Sequence, residues 1–219
     1  SNVAWDLLAL GSKESFVPST KLPAIEKAAL QACDALDGVK DGVIEDPAHC
    51  HFDPSVLQCA GGETDSCLTP PQLTALKKLY AGSRWANGKH VFPGYPPGGE
   101  AEVGGWSVWI AGRTPDHSLM YAFGTQFFKN MVFQDPAWDY HQFQVDRDTK
   151  SADAKMVHAL NSNDPDLSRF QARGGKLILY HGWSDAAISA QNTIDYYKSV
   201  VAKMGARKAS GFVRLYMVP

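Results

Sequence analysis

Apolar and polar positions along the chain follow two rhythms. From about residue 13 to 165, apolar residues come in short bursts separated by glycine, proline, aspartate and aromatic residues. From about residue 172 to the end they settle into a compact strand–helix–strand pattern. In the first region, STKLPAIEKAALQAC spaces Leu22, Ile25, Ala29 and Ala32 along one helical face. Ser19 or Thr20 can cap that helix, and Pro23 suits its first turn. CLTPPQLTALKKLY carries a fuller start signal. Thr69 and Gln72 have capping-box spacing, Pro70 stands at the first helical position, and Leu68 and Leu73 form a hydrophobic staple. The stretch HVFPGYPPGGEAEVGGWSVWIAG is too rich in glycine and proline for anything but loop. HSLMYAFGTQFFKNMVF then returns to helical spacing through Met120, Phe123, Phe127 and Met131.

In the second region, Lys176–Tyr180 is a short apolar run behind two glycines and reads as a buried strand. Ala187, Ala190, Ile194, Tyr197, Val201 and Met204 alternate spacings of three and four, as in an amphipathic helix ending at Gly205. GFVRLYMV is a second apolar strand. A strand, a crossover helix and another strand imply a parallel sheet, so the fold class is α/β.

Length and charge narrow the possibilities. The 219 residues suffice for one large domain or two small ones, and the formal net charge is only -2. No Lys/Arg stripe exists, which argues against a nucleic-acid partner. No apolar run approaches the ~18 residues of a membrane-spanning helix. The chain opens on SNVAWDLLALGS without an initiator Met and stops at VRLYMVP, straight after an apolar run. Both ends have the look of a cut from something longer, so location cannot be read from a targeting signal.

The four cysteines, Cys33, Cys50, Cys59 and Cys67, all bracket polar sequence with little apolar content of its own. A disulfide-stapled, extracytoplasmic module is the favoured reading, and three pairings are open. Zinc is the rival, but the spacings lack the short C-x₂₋₄-C pairs of zinc modules.

Three stretches carry candidate chemistry. In a parallel sheet, functional groups sit just past the carboxyl ends of strands, and here that place is HGWSD. Asp185 there can orient a histidine and stabilise its imidazolium during acyl transfer, or merely cap the following helix. Gly182-Trp183-Ser184-Asp185-Ala186 also approximates a G-x-S-x-G nucleophile elbow. An elbow needs a later histidine, however, and none follows Ser184. His181 is too close to Asp185 on the same strand end for an obvious triad partner and reads as structural. The third stretch is CDALDGVKDGV, with three aspartates. Its spacing is not that of an EF-hand. It is either a solvated turn or a calcium loop, in which Asp34, Asp37 and Asp41 offer carboxylates. Val39 and Val43 would then offer carbonyls while burying their side chains.

CDALDGVKDGVIEDPAHCHFDP, CLTPPQ, FQDPAWDY, GGKLILYHGWSDAAIS and VRLYMVP, in that order, resemble the tannase/feruloyl esterase family. The resemblance implies the C-terminal part of an α/β-hydrolase sheet plus a large, loop-rich, mostly helical lid. Residues 1–12 would end a segment of the hydrolase core. Residues 13–165 would be the lid, and 166–219 the C-terminal strand–helix–strand of the core. It implies structural Ca²⁺ held by Asp34, Asp37 and Asp41 with the carbonyls of Val39 and Val43. It pairs Cys33 with Cys50 and Cys59 with Cys67, and makes Asp185 the acid of a Ser–His–Asp triad. The family's serine precedes the lid and its histidine follows the last strand. This chain would therefore carry the lid and the Asp but neither other member. By itself it would be inactive, with the remainder of the hydrolase core as its partner. The substrate would be an ester of an aromatic acid, such as a feruloyl or galloyl ester, or the mono-ester of an aromatic polyester. Trp106, Trp109, Phe123 and Phe127, with Tyr121 and Phe128 nearby, are candidates to stack on the acyl group. Arg113 and Lys129 could meet its polar groups. The expected location is secreted or periplasmic. Two other readings stand beside this one: a calcium-stabilised binding module with a hydrolase-like fold but no chemistry, and a hydrolase using Ser184.

Overall fold

The computed structural model describes residues 1–219. Helix α1 (Asn2–Leu10) is followed by α2 (Leu22–Cys33) and α3 (Pro70–Ala81). A short antiparallel ribbon, β1 (Ser83–Arg84) and β2 (His90–Phe92), precedes α4 (Trp106–Trp109) and α5 (Leu119–Gln126). The last turns of α5 run on as π-helix through Phe127–Val132. Then come α6 (Val145–Leu160), α7 (Ser168–Ala172), β3 (Leu177–Gly182), α8 (Ala190–Met204), α9 (Ala206–Ala209) and β4 (Val213–Val218). No helix is long and apolar enough to cross a membrane.

Helix α3 forms as its signals dictate. The Thr69 N–H donates to Gln72 Oε1 at 3.0 Å, and the Gln72 N–H donates to Thr69 Oγ1 at 3.5 Å. Two orphan N–H groups are thereby satisfied, and Leu68 and Leu73 are both buried beneath. Helix α2 departs from expectation at its start. Ser19–Lys21 is a 3₁₀ turn, and neither Ser19 nor Thr20 caps α2. The buried Lys21 instead spans to the second cysteine loop, donating to the Cys67 carbonyl at 2.7 Å and to Gln72 Oε1 at 2.9 Å. Leu22, Ile25, Ala29 and Cys33 form the buried face, while Ala32 is exposed. Both expected disulfides are present. Cys33 pairs with Cys50 and Cys59 with Cys67, with Cα atoms 5.5 and 5.0 Å apart.

One cluster of 25 buried residues unites α1, α2 and α3 with the aromatic residues Tyr95, Trp106, Phe128, Trp138, Tyr140 and Phe143. Helix α1 contributes Ala4, Leu7, Ala9 and Leu10 to it. The α5 segment turns a different face inward than its period suggests. Met120, Gly124, Thr125, Phe128 and Val132 are buried, whereas Phe123 and Met131 are exposed. Two apolar stripes run one residue apart here, and packing chooses between them. A Cβ on Gly124 would lie 3.2 Å from Leu7 Cδ1, so glycine lets α1 lie close. The π-helical turn then rotates the later residues, bringing Phe128 and Val132 inward.

Strands β3 and β4 pair in parallel, from Leu177↔Val213 to Gly182↔Val218. One face packs on α8 through a small cluster of Val200, Phe212 and Val213 with Leu177 and Leu179 alongside. The other face is bare. Ile178, Tyr180, Tyr216 and Val218 are all exposed, so β3 is not the buried strand its composition predicts. Helix α8 begins at Ala190, leaving Ala187 in the preceding turn.

Candidate active site

Strand β3 ends in the turn Trp183–Ser189, which leads into α8. Asp185 closes that turn. Its Oδ1 accepts the N–H groups of Ala187 at 2.8 Å and Ile188 at 3.0 Å. These bonds hold the turn ahead of α8, whose N-cap position belongs to Ser189. With Oδ1 committed, Oδ2 is the oxygen left to face a partner, and the side chain is 38% exposed. Oδ2 lies 3.2 Å from His181 Nε2, one turn-length back along the chain.

His181 is a satisfied structural residue. Its Nδ1 lies 2.6 Å from Thr193 Oγ1, and its Nε2 also lies 3.1 Å from the Ile188 carbonyl. Both ring nitrogens are committed and the side chain is 12% exposed. Ser184 makes no hydrogen bond with any histidine. It packs against the glycine loop of residues 97–99 in a narrow cleft that Val43, Ile44, Trp183 and Pro219 also line. A nucleophile needs a base within reach, so this geometry gives Ser184 no catalytic arrangement.

The aromatic candidates separate. Trp106 is buried in the core, 5.9 Å from the ring of Tyr80 and 5.7 Å from that of Tyr95, and offers no platform to a ligand. Phe128 is likewise fully buried. Trp109 and Phe123 stack with near-parallel, offset rings, centroids 5.8 Å apart, and Phe123 and Phe127 line an apolar cleft of about 530 Å³ with Val3 and Met131. Tyr121 and Lys129 line a separate polar cleft with Asp116, Trp138 and His141, so the structure does not bring them to Phe123. Arg113 is exposed and forms no ion pair.

The acidic loop is ordered by its own backbone. Asp34 accepts the N–H groups of Asp41 at 3.2 Å and Gly42 at 3.1 Å. Asp37 Oδ1 accepts from Val39 at 2.8 Å, and Asp41 Oδ1 from Val43 at 3.1 Å. Gly38 and Gly42 supply the two left-handed turns, at φ 92° and 85°. In this arrangement the three carboxylates do not converge as a metal-holding group. Asp37 and Asp41 each keep one oxygen free, and none of the three acids pairs with a cation. Val39 and Val43 point their side chains to solvent rather than burying them.

Two buried acids near this region have no signal in the sequence. Asp6 on α1 is 1% exposed and accepts from Asn2 Nδ2 at 2.8 Å and the Tyr95 hydroxyl at 3.3 Å, while its Oδ1 has no partner. Burial pushes its carboxyl up to about 8. Glu100 is fully buried in the glycine–proline loop, and burial pushes its carboxyl up to about 7. Neither side chain makes a salt bridge, and burial is the main cause of both upward shifts.

A parallel strand–helix–strand unit, with an acid set just past its first strand and a disulfide-stapled helical body beside it, defines an α/β protein with a large helical addition. The chain belongs to the family described as tannase and feruloyl esterase, whose model matches residues 3–219. It is 38% identical to an uncharacterised esterase of Xanthomonas campestris pv. campestris over 95% of this chain and 40% of that one. It is 33% identical to a probable feruloyl esterase B-1 of Aspergillus oryzae over 88% of this chain and 35% of the relative. The crystal structure of feruloyl esterase B from Aspergillus oryzae superposes with a TM-score of 0.86 at 30% identity, covering 99% of this chain and 43% of that one. The chain thus spans about 40% of the length of such relatives.

Proposed function

We propose that this chain is part of a carboxylic ester hydrolase acting on esters of aromatic, phenolic acids, with feruloyl and galloyl esters as the substrate class. The observation that carries this reading is Asp185. It sits at the carboxyl end of a parallel strand with Oδ1 locked by two backbone N–H groups and Oδ2, 3.2 Å from the structural His181, as the oxygen that would also orient a catalytic histidine. In the complete enzyme a serine attacks the ester carbonyl and a histidine moves its proton. Asp185 holds that histidine in the right tautomer, and water then releases the acyl group. The serine and histidine lie outside residues 1–219. The bare face formed by Ile178, Tyr180, Tyr216 and Val218 is where the remainder of the hydrolase core packs. The helical body serves as a lid, and the stacked Trp109 and Phe123, with Phe127, receive the aromatic acid. Two disulfides support a secreted or periplasmic location.

The acidic loop is assigned a structural Ca²⁺. The assignment rests on donor chemistry and not on a preformed cage: Asp34, Asp37 and Asp41 are hard oxygen ligands close in sequence, Asp37 and Asp41 each keep one oxygen free, and the three would have to draw together around the ion. With the carbonyls of Val39 and Val43 they would hold the ion, whose role is to neutralise their mutual repulsion and fix the lid loop. Chelation should lower the melting temperature while changing the chemical step little. No calcium bound at millimolar supply would remove this assignment.

The function is tested by assaying the complete gene product against methyl ferulate, methyl gallate and a simple acetate ester. Preference for the aromatic esters, with no turnover by residues 1–219 alone, is expected. A complete protein that hydrolyses none of them contradicts the reading.

A further inference from the structure

The loop from Pro93 to Ala101 crosses between the helical body and the HGWSD turn, and one buried acid holds it. Glu100 Oε1 accepts the Tyr80 hydroxyl of α3 at 2.5 Å. Its two carboxylate oxygens accept the Gly98 N–H at 3.1 and 3.0 Å. One residue on, the Ala101 N–H donates to Glu26 of α2 at 2.7 Å. Helices α2 and α3 therefore both grip this end of the loop. Glu100 has no cation partner, so hydrogen bonds alone compensate its burial, and through them it secures the loop.

What it secures is a contact with the turn that carries Asp185. Gly98 sits at φ 110°, a conformation that L side chains rarely adopt. Gly99 then lies so close to Ser184 that a Cβ there would be 2.5 Å from Ser184 Oγ and 2.6 Å from its Cβ. At the other end of the loop, the wholly buried Ser189 donates its hydroxyl to the Gly94 carbonyl at 2.6 Å. The loop thus touches the turn at Ser184 and at Ser189, and Asp185 lies between them.

We propose that Glu100 is a positioning residue for Asp185. It locks Gly98 and Gly99 beneath Ser184 and so fixes the turn that aims the Asp185 carboxylate. Ser184, in the elbow-like stretch, is the contact through which this acts. The effect on turnover rests on the catalytic reading of Asp185 given above; the effect on the turn does not.

The test uses the complete gene product and two readouts, steady-state kinetics on an aromatic ester and hydrogen exchange across residues 182–189. Glu100→Ala should lower kcat by about 10²-fold with KM changed by less than about twofold, as expected for a misplaced catalytic group. Exchange at the Ala187 and Ile188 amides should quicken by about tenfold or more while β3 stays protected. Glu100→Gln, which keeps an acceptor for Tyr80, should recover most of both. Gly99→Ala should reproduce the loss by pushing Ser184 away, and adding Ser184→Gly, which leaves only the Cα of residue 184 close at 3.0 Å, should restore activity and protection in part. If Glu100→Ala does not fold, the Gly99→Ala pair decides alone. Wild-type exchange at residues 182–189 in a folded Glu100→Ala or Gly99→Ala protein overturns the proposal. So does a double variant no better than Gly99→Ala. Altered exchange in the variants, with no esterase activity in the wild-type protein, would instead uphold the positioning and remove only the catalytic reading.

Discussion

The helical body and the strand unit differ in how completely each buries itself. The body encloses a cluster of 25 buried residues, closes two disulfides and ties α2 to the second cysteine loop through Lys21. The strand unit has three fully buried apolar residues in its own cluster and leaves four large apolar side chains in water on one sheet face. A two-stranded sheet covered on one side is marginal, whereas a core with many apolar layers is not. The body holds its own shape. The strand unit keeps one sheet face exposed, and it is the part that carries Asp185.

The largest stability effect should come from Phe128→Ala, which empties the centre of the helical core at a cost of about 3–5 kcal/mol. Phe123→Ala, on the outer stripe of the same segment, should cost under about 1 kcal/mol. Similar losses for the two would contradict the phase of the π-helical turn. Next, replacing Cys33 and Cys50 by serine should cost roughly 3 kcal/mol on the chain-entropy account, and the shorter Cys59–Cys67 loop roughly 2.5 kcal/mol. Denaturant melts of the oxidised and substituted proteins measure both.

Stability should also depend on pH in a defined direction. Burial raises the Glu100 carboxyl from 4.5 to about 7 and that of Asp6 from 3.8 to about 8. Tyr80 from α3 and Glu26 from α2 face Glu100, and neither supplies a positive charge. Each acid ionises more readily in the unfolded chain. Their contribution is therefore complete below about pH 4 and is lost as pH rises through 7 to 8. Glu100→Gln should flatten this slope, the Glu100 share being at most about 3 kcal/mol. The smallest effect is a contrast in local opening. Amides of β3 and β4 should exchange faster than those of α3 in the isolated chain, and equal protection would undo the distinction between the two regions.

Much of this architecture is legible in the sequence where local chemistry decides the outcome. The capping box at Thr69 and the strand–helix–strand rhythm after residue 172 appear as read. Other features depend on long-range packing. The α5 segment carries two apolar stripes, and only contact with α1 at Gly124 selects the inner one. Helix α6 is mostly polar in its first half and buries Asp148, Thr149 and Ala152, so its buried face is not the one its apolar residues mark. Asp148 survives there because Arg147 and the Gln144 N–H satisfy its carboxylate. Trp106 read as a ligand platform because an aromatic in a glycine-rich loop carries no mark of whether the loop folds inward. Asp185 stands out by its position after an apolar strand, whereas Glu100, an acid among glycines, carries no such mark.

The most direct test of the account is Asp185→Asn in the complete gene product, assayed on an aromatic ester beside wild type. The amide keeps the turn-closing Oδ1 acceptor for Ala187 and Ile188 but cannot hold a histidine in the catalytic tautomer. The account predicts a fall in kcat of about 10⁴-fold with little change in melting temperature. Turnover within a few-fold of wild type, in a folded protein, would contradict it.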